Sequence, residues 1–429
     1  MTSEVVIGNG FGVVLCADTA TTRGKRRTYD GARKLIGVPS PHRLGILHSG
    51  IVTLHGLPYE TLLENWIHAL PPQRLLRLSD YAESFREYLV KSIPEYCDDD
   101  QRIKEFLSDW WRRVGRTWEW LQNAGKESDA DIRDYFSGLV GKFDDDDVRS
   151  GERWSARVWD VLGRNGRRNQ VEIECREKDC SEMWHSSIEG IIDHYFDDVT
   201  ISETREVIYQ WAKIFLGLYH PCDYSATVAF AGYGERDIVP AVIEMRIEAM
   251  MLDRLFESVN DVESAERTSS GFAFLRTFGQ DNEIVRFIRE VGLDPHYHQE
   301  VVRGSLSKFE TGHRPEGKVG EAGSAEEQDV RQSSGTYDFD RAGHEIAREL
   351  EDVAENNIER ALESLAGMNL RNLSMIAERL VSLQSLSLDL LGQLPTVGGK
   401  LVTAVVTLQH GFMTYSASGD PDGIATHVH

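Results

Sequence analysis

Residues 4–17, EVVIGNGFGVVLCA, set two apolar runs on either side of Asn9-Gly10. Few local signals restrict a fold more. Asn-Gly between β-type runs is a strong hairpin mark, because both residues tolerate the positive φ that a tight two-residue turn demands. The chain therefore begins in a sheet. Residues 21–33 are polar and basic and read as a loop. Two further apolar runs, 34–38 and 44–47, flank the turn-forming Pro39-Ser40-Pro41. A helix is expected from about Pro58, with Leu62, Leu63, Trp66, Ile67 and Leu70 at helical spacing.

From about 78 to 220 aromatic and charged residues alternate in helical fashion, in FLSDWWRRVGRTWEWLQ, IEGIIDHYFDD and VIYQWAKIFLGLY. Acidic clusters at 98–100 and 144–147 separate these pieces. We read a mostly helical insertion whose aromatic residues, including Trp110, Trp111, Trp118 and Trp120, make a small core of their own. A docking surface is the alternative if the tryptophans are partly exposed. Strand character returns at 226–231, 238–246 and 271–276. Gly232-Tyr233-Gly234 reads as a tight turn, since it lacks the longer pattern and the Lys-Ser/Thr of a phosphate loop. Residues 311–337 are rich in Gly, Ser and charge and read as a mobile loop. A long helix follows, with Ile346, Leu350, Val353, Ala361 and Leu365 on one stripe; a second covers about 372–391. The hairpin LVTAVVTLQHGFMTYS closes the series. Two sheets meeting through their inner faces, with helices outside, would use all these elements. The expected organisation is a core of residues 1–77 and 221–429, interrupted by a helical insertion at 78–220.

The net charge of −23 over 429 residues argues against a general nucleic-acid or membrane-surface binder, since phosphates would be repelled. The five cysteines, Cys16, Cys97, Cys175, Cys180 and Cys222, are odd in number and scattered. With no signal-like start and no apolar stretch of spanning length, they suggest reduced thiols in a cytoplasm. Cys16, inside a strand, reads as a small core residue. Cys175, Cys180, His185 and His194 do not have a recognised zinc spacing, so neither a metal nor a cofactor is expected.

Thr2, Asp18 and Lys34 lie sixteen residues apart in succession, each in or beside an apolar β-type run. Removal of Met1 would make Thr2 an N-terminal residue carrying both a hydroxyl nucleophile and a base, its α-amine. That amine has a reference pKa of roughly 7.7–8.0. A nearby lysine ammonium would push it toward its neutral, proton-accepting form, and a buried lysine needs a carboxylate to hold it. Thr2, Lys34 and Asp18 supply those parts. Backbone N–H groups on a tight turn would complete the site by binding an oxyanion, and Ser49 and Gly50, just past the 44–47 run, are the place for them. His48 beside that turn reads either as a strand-end histidine partly in water or as a substrate-pocket residue.

The segment resembles the proteasome β-subunits and the related bacterial heat-shock peptidase, both N-terminal-nucleophile hydrolases. The resemblance rests on Thr2, on VVLCADTATT with Asp18, on ARKL with Lys34 and on LGILHSG. It is similar too in a late helix, IAERLVSLQSLSLDLL, followed by TVGGKLVTAVVT. The resemblance implies an α+β fold, a four-layer αββα sandwich here carrying a large helical insertion. It implies threonine-type hydrolysis of peptide or other amide bonds, and Thr22 as a substrate contact. The sequence departs from the family before Gly398-Gly399, where Leu394, Pro395, Thr396 and Val397 stand in place of an aspartate and a serine. Thr396 is a partial substitute, and Ser225 a weak match to the family's mid-chain serine.

The partners expected are a peptide or protein substrate and, since family members often form rings, further copies of the chain. The rival from another class is a non-catalytic assembly or adaptor protein that binds partners through the helical insertion. A small-molecule amidase using the same three residues is the third reading.

Overall fold

The computed structural model describes residues 2–23, 26–98, 114–126, 128–141, 190, 192–196, 202–217, 225–251, 254–259, 263–264, 266–269, 271–290, 339–390 and 397–415. Strand β1 (Ser3–Asn9) pairs antiparallel with β2 (Gly12–Asp18), and every residue of both is buried. The turn falls on Gly10 and Phe11, one residue later than the Asn-Gly pair suggests, because Asn9 is already paired with Gly12. Asn9 has another task. Its side-chain amide donates to the Leu365 and Met368 carbonyls, at 2.9 and 2.7 Å, while its oxygen accepts from the Phe11 N–H. A buried amide must find such partners, and here they tie the hairpin to the helices behind it.

The first sheet runs β13 (Glu266–Thr268), β14 (Gly271–Gly279), β1, β2, β15 (Leu401–Thr407), β16 (Gly411–Tyr415). The second runs β11 (Arg254–Val259), β10 (Ala241–Met251), β9 (Ala226–Tyr233), β6 (Arg43–Gly50), β5 (Leu35–Gly37), with β12 (Glu263–Ser264) also on β10. All these pairings are antiparallel. Residues 21–33 are a correction to the loop reading: β3 (Ala20–Arg23) and β4 (Arg26–Asp30) form a hairpin, with an irregular register between Thr21 and Thr22. Thr21, Thr22, Thr28 and Tyr29 are strand-favouring types, and the basic residues among them hid that preference. A second small hairpin, β7 (Thr53–Leu54) with β8 (Leu57–Pro58), turns on His55 and Gly56, both at positive φ, and delivers the chain to α1 (Tyr59–Ala69).

The side-chain period of two sorts the strands' residues into separate apolar clusters. Val6, Val13, Leu15 and Ala17 of the first sheet meet Leu47, Ala229, Ala231 and Tyr233 of the second. Val5, Ile7, Val14 and Cys16, on the other face, pack with Leu373, Ala377 and Val381 of α7 (Leu370–Leu390). That cluster also takes Ile284 of α5 (Asn282–Glu290) and Leu365 and Ala366 of α6 (Phe339–Ala366). On the outer face of the second sheet, Ile46, Val228, Phe230 and Ile243 pack with Leu62 and Trp66 of α1 and Phe85 and Leu89 of α2 (Leu78–Tyr96). The protein is thus a mixed α+β molecule built on antiparallel sheets.

The helical segment expected to open at residue 78 begins with a helix that packs on the sheet. Leu78, Tyr81, Ala82, Phe85, Leu89 and Ile93 of α2 are all buried in that cluster, and Phe85 makes edge contacts with Trp66 and Phe230. Further along, aromatic residues do gather: Phe136 of α3 (Asp129–Val140) meets Trp211 of α4 (Ser202–Gly217) and also Phe196, which precedes that helix, and Trp118 meets Phe196. Trp110, Trp111 and the 311–337 segment lie outside the described residues. Among the described residues no helix is long and apolar enough to cross a membrane.

Trp66 is 1% exposed, contacts Phe85 and Phe230 edge-on and donates its indole N–H to Ser84 Oγ at 3.2 Å. Trp66→Ala is expected to cost about 3–5 kcal/mol, read as a lower midpoint in urea denaturation with the m-value unchanged.

Candidate active site

Asp18 ends β2 and is fully buried. Its Oδ1 accepts from the Lys34 ammonium at 2.7 Å and from the Ser3 backbone N–H at 3.1 Å. Its Oδ2 accepts from the backbone N–H groups of Gly398, at 2.9 Å, and Ala20, at 3.3 Å. A carboxylate removed from water needs such compensation, and four donors supply it. Lys34 is 6% exposed, so the pair is a buried one. Two of the three residues expected from the spacing are therefore bonded directly. Thr2 joins them through its neighbour, since one oxygen of Asp18 bridges the Ser3 N–H and Lys34 Nζ.

Thr2 itself is 7% exposed, and its carbonyl accepts from the Gln280 N–H at 2.6 Å. Gly279 makes this possible: its φ is +78°, and a Cβ there would sit 2.1 Å from the Thr2 oxygen. The end of β14 thus pins the residue that precedes β1.

Lys34 is positioned by the next strand. The His48 backbone N–H donates to the Lys34 carbonyl at 2.9 Å, and His48 Nε2 lies 2.8 Å from the Arg33 carbonyl. A carbonyl only accepts, so Nε2 carries the proton. Partial burial and the Lys34 and Arg33 charges lower the His48 pKa from its ordinary value, although the Arg33 carbonyl opposes them. The ring is therefore a neutral clasp on the peptide before Lys34.

Ser49 and Gly50 finish β6, opposite Thr227 and Ala226. Gly50 has φ +84°, and a Cβ would lie 2.1 Å from the Ser225 carbonyl. That carbonyl also accepts from the Ile51 N–H at 3.3 Å, so Ser225 holds the turn through its backbone. Thr22 lies in β3 beyond the Asp18–Ala20 corner, and its side chain is outside the described residues. So are Met1, Thr396, Cys175, Cys180 and His185. Among the described residues no group of three His, Cys, Asp or Glu side chains could hold a metal ion. Cys16 is an inert core thiol, pushed up to about 12 by burial.

Two features were not anticipated. The Gly398-Gly399 turn reaches the site through its backbone. Besides the Gly398 N–H on Asp18, Ala20 N–H donates to the Gly398 carbonyl and Lys400 N–H to Thr19 Oγ1. Side-chain patterns carry no mark of such contacts. The second is Glu4, buried with no exposure, which had a visible signal as the one charge inside an apolar strand run. Burial pushes its carboxyl up to about 8; Lys34 pulls it down, Asp18 pushes it further up, and the approach of the Ser49 hydroxyl lowers it slightly. Neither Glu4 oxygen has a partner within hydrogen-bond geometry, so the Ser49 approach is a contact rather than a bond.

Asp18→Ala would deprive Lys34, the Ser3 N–H and the Gly398 N–H of this acceptor, the Ala20 N–H keeping the Gly398 carbonyl, whereas Lys34→Met leaves Asp18 its three backbone N–H groups. The first is expected to destabilise by about 3–5 kcal/mol and the second by clearly less, compared by chemical denaturation at neutral pH. Equal losses would show that the ion pair, not the backbone anchoring, dominates.

No protein-family model matches the chain, and no curated protein is similar to it at a significant level.

Proposed function

We propose that the protein is a threonine hydrolase of the N-terminal-nucleophile type, acting on a peptide or other amide bond. The observation that carries this reading is the single Asp18 oxygen shared by Lys34 Nζ and the Ser3 N–H. It puts a buried cation beside the residue that follows Thr2. With Met1 removed, the Thr2 hydroxyl attacks the substrate carbonyl carbon while its own α-amine takes the hydroxyl proton. Lys34 keeps that amine neutral by like-charge repulsion, and Asp18 holds Lys34. The negative oxygen that forms is bound by the backbone at Ser49 and Gly50. The C–N bond then breaks, the amine's proton passes to the leaving nitrogen, and water hydrolyses the ester on Thr2.

The reading carries a four-layer αββα arrangement with it. In support stand the three apolar clusters: α1 and α2 on the second sheet, the two sheets on each other, and α5, α6 and α7 on the first.

A β-lactone tests the assignment. A nucleophilic hydroxyl opens its ring to an ester that retains every atom of the reagent. Intact-mass spectrometry is expected to show loss of Met1 and one adduct, mapped by peptide sequencing to Thr2. Thr2→Ala is expected to abolish the adduct while keeping the urea midpoint within about 1 kcal/mol of wild type. A retained Met1 with no adduct would favour the adaptor reading.

A further inference from the structure

Glu4 has no place in the chemistry described so far. Burying a carboxyl group with no donor for either oxygen is costly, and such a residue in a strand interior calls for a reason. Its position supplies one. In the antiparallel ladder Glu4 is opposite Ala17, the residue before Asp18. It is two residues from Val6, which lies in the cluster between the sheets. Ser49 stands two residues from Leu47 of the same cluster, and Lys34 directly precedes Leu35 of it. Alternation thus puts Glu4 and Ser49 on the inner faces of β1 and β6 at one end of the space between the sheets, and Lys34, just before β5 and bonded to Asp18, is near enough for its charge to act on Glu4.

We infer that Glu4 is a positioning residue of the proposed hydrolytic site, acting on the Thr2 amine and on the Ser49–Gly50 turn through the charge of its carboxyl group. The inference rests on the threonine-hydrolase reading and extends it with a fourth residue.

The groups that face Glu4 define what its charge would do. Asp18 comes from β2, Lys34 from the start of β5 and Ser49 from β6. On β14, Phe278 is directly opposite, and Arg276 lies two pairs further along and is exposed. Once Met1 is removed, the Thr2 amine is added from β1's own strand. While Glu4 is neutral, the Lys34 charge is balanced by Asp18 alone and still repels a proton from the amine. Ionised, Glu4 would share Lys34, make the amine easier to protonate and oppose a developing oxyanion beside Ser49. Burial, which pushes the carboxyl up to about 8, places this change just above neutrality. Glu4 thus keeps the site active at neutral pH by remaining uncharged and curbs it in alkali.

The sign for stability follows independently of any substrate. Between 4.5 and about 8 the folded protein holds a Glu4 proton that the unfolded chain has released. Stability is therefore lost as pH rises through that window. Glu4→Gln, which cannot ionise, removes this loss.

The experiment compares full-length wild type with E4Q in two measurements across the same pH range. In urea denaturation, the midpoint of E4Q minus that of wild type is expected to grow steadily from about pH 5 to about pH 8. In β-lactone acylation of Thr2, the ratio of E4Q to wild-type rate is expected to rise about tenfold between about pH 7 and about pH 9. A midpoint difference independent of pH overturns the inference, because Glu4 would then not be holding a proton. A growing difference with parallel acylation profiles also overturns it, leaving Glu4 a buried acid without influence on Thr2. Absence of acylation in wild type itself overturns the hydrolase reading, and the role of Glu4 falls with it.

Discussion

The Asp18 carboxylate is the point on which the rest of this structure turns. A charged group taken out of water is held only by the donors that surround it. Here the donors come from four separate places: the start of β1, the corner after β2, the Gly398 turn before β15, and Lys34 at the start of β5. The first three belong to the first sheet and its immediate connections, and the fourth opens a strand of the second. One side chain thus joins the two sheets at the end where their apolar cluster stops. The site is also where the sheets are stitched.

That stitching explains why a catalytic reading and a structural one converge on the same atoms. Lys34 tied by a carboxylate, with His48 clasping the backbone before it, has little freedom to move. Fixed charge is what preorganised catalysis uses, since no reorganisation is needed when charge develops. Glu4 extends the same logic by the opposite means. It contributes by withholding a charge where Asp18 contributes by supplying one.

Much of the framework was legible in the residues. The opening hairpin, the strands around Pro39-Ser40-Pro41, the helix after Pro58 and the closing hairpin all follow from apolar periodicity and turn chemistry. The equal spacing picked out Asp18 and Lys34, which bond directly, and Thr2, whose neighbour Ser3 donates its backbone N–H to the same carboxylate. What escaped was of two kinds. Some contacts are made by backbone N–H groups, as at Gly398, and any residue type supplies those. Others were masked by composition. The β3–β4 hairpin hid behind its basic residues, and α2 read as part of the insertion because charged residues interrupt its apolar stripe, although six of its side chains are core. Asn9 was misplaced for a related reason: its amide suits a turn corner, but equally suits a buried clamp on the carbonyls of Leu365 and Met368.

The glycines along β6 and β9 carry one more meaning. Gly50 admits the Ser225 carbonyl at one end of this pair, and Gly232 admits the Arg43 carbonyl at the other, each where a methyl would come within 2.1 Å. Sliding either strand by one position would bring Ala231 or Tyr233 to the place of Gly232, and the added carbon would strike the neighbouring chain. Alignment of the two strands is therefore dictated at both extremities by missing atoms, much as a key is cut by what is removed from it.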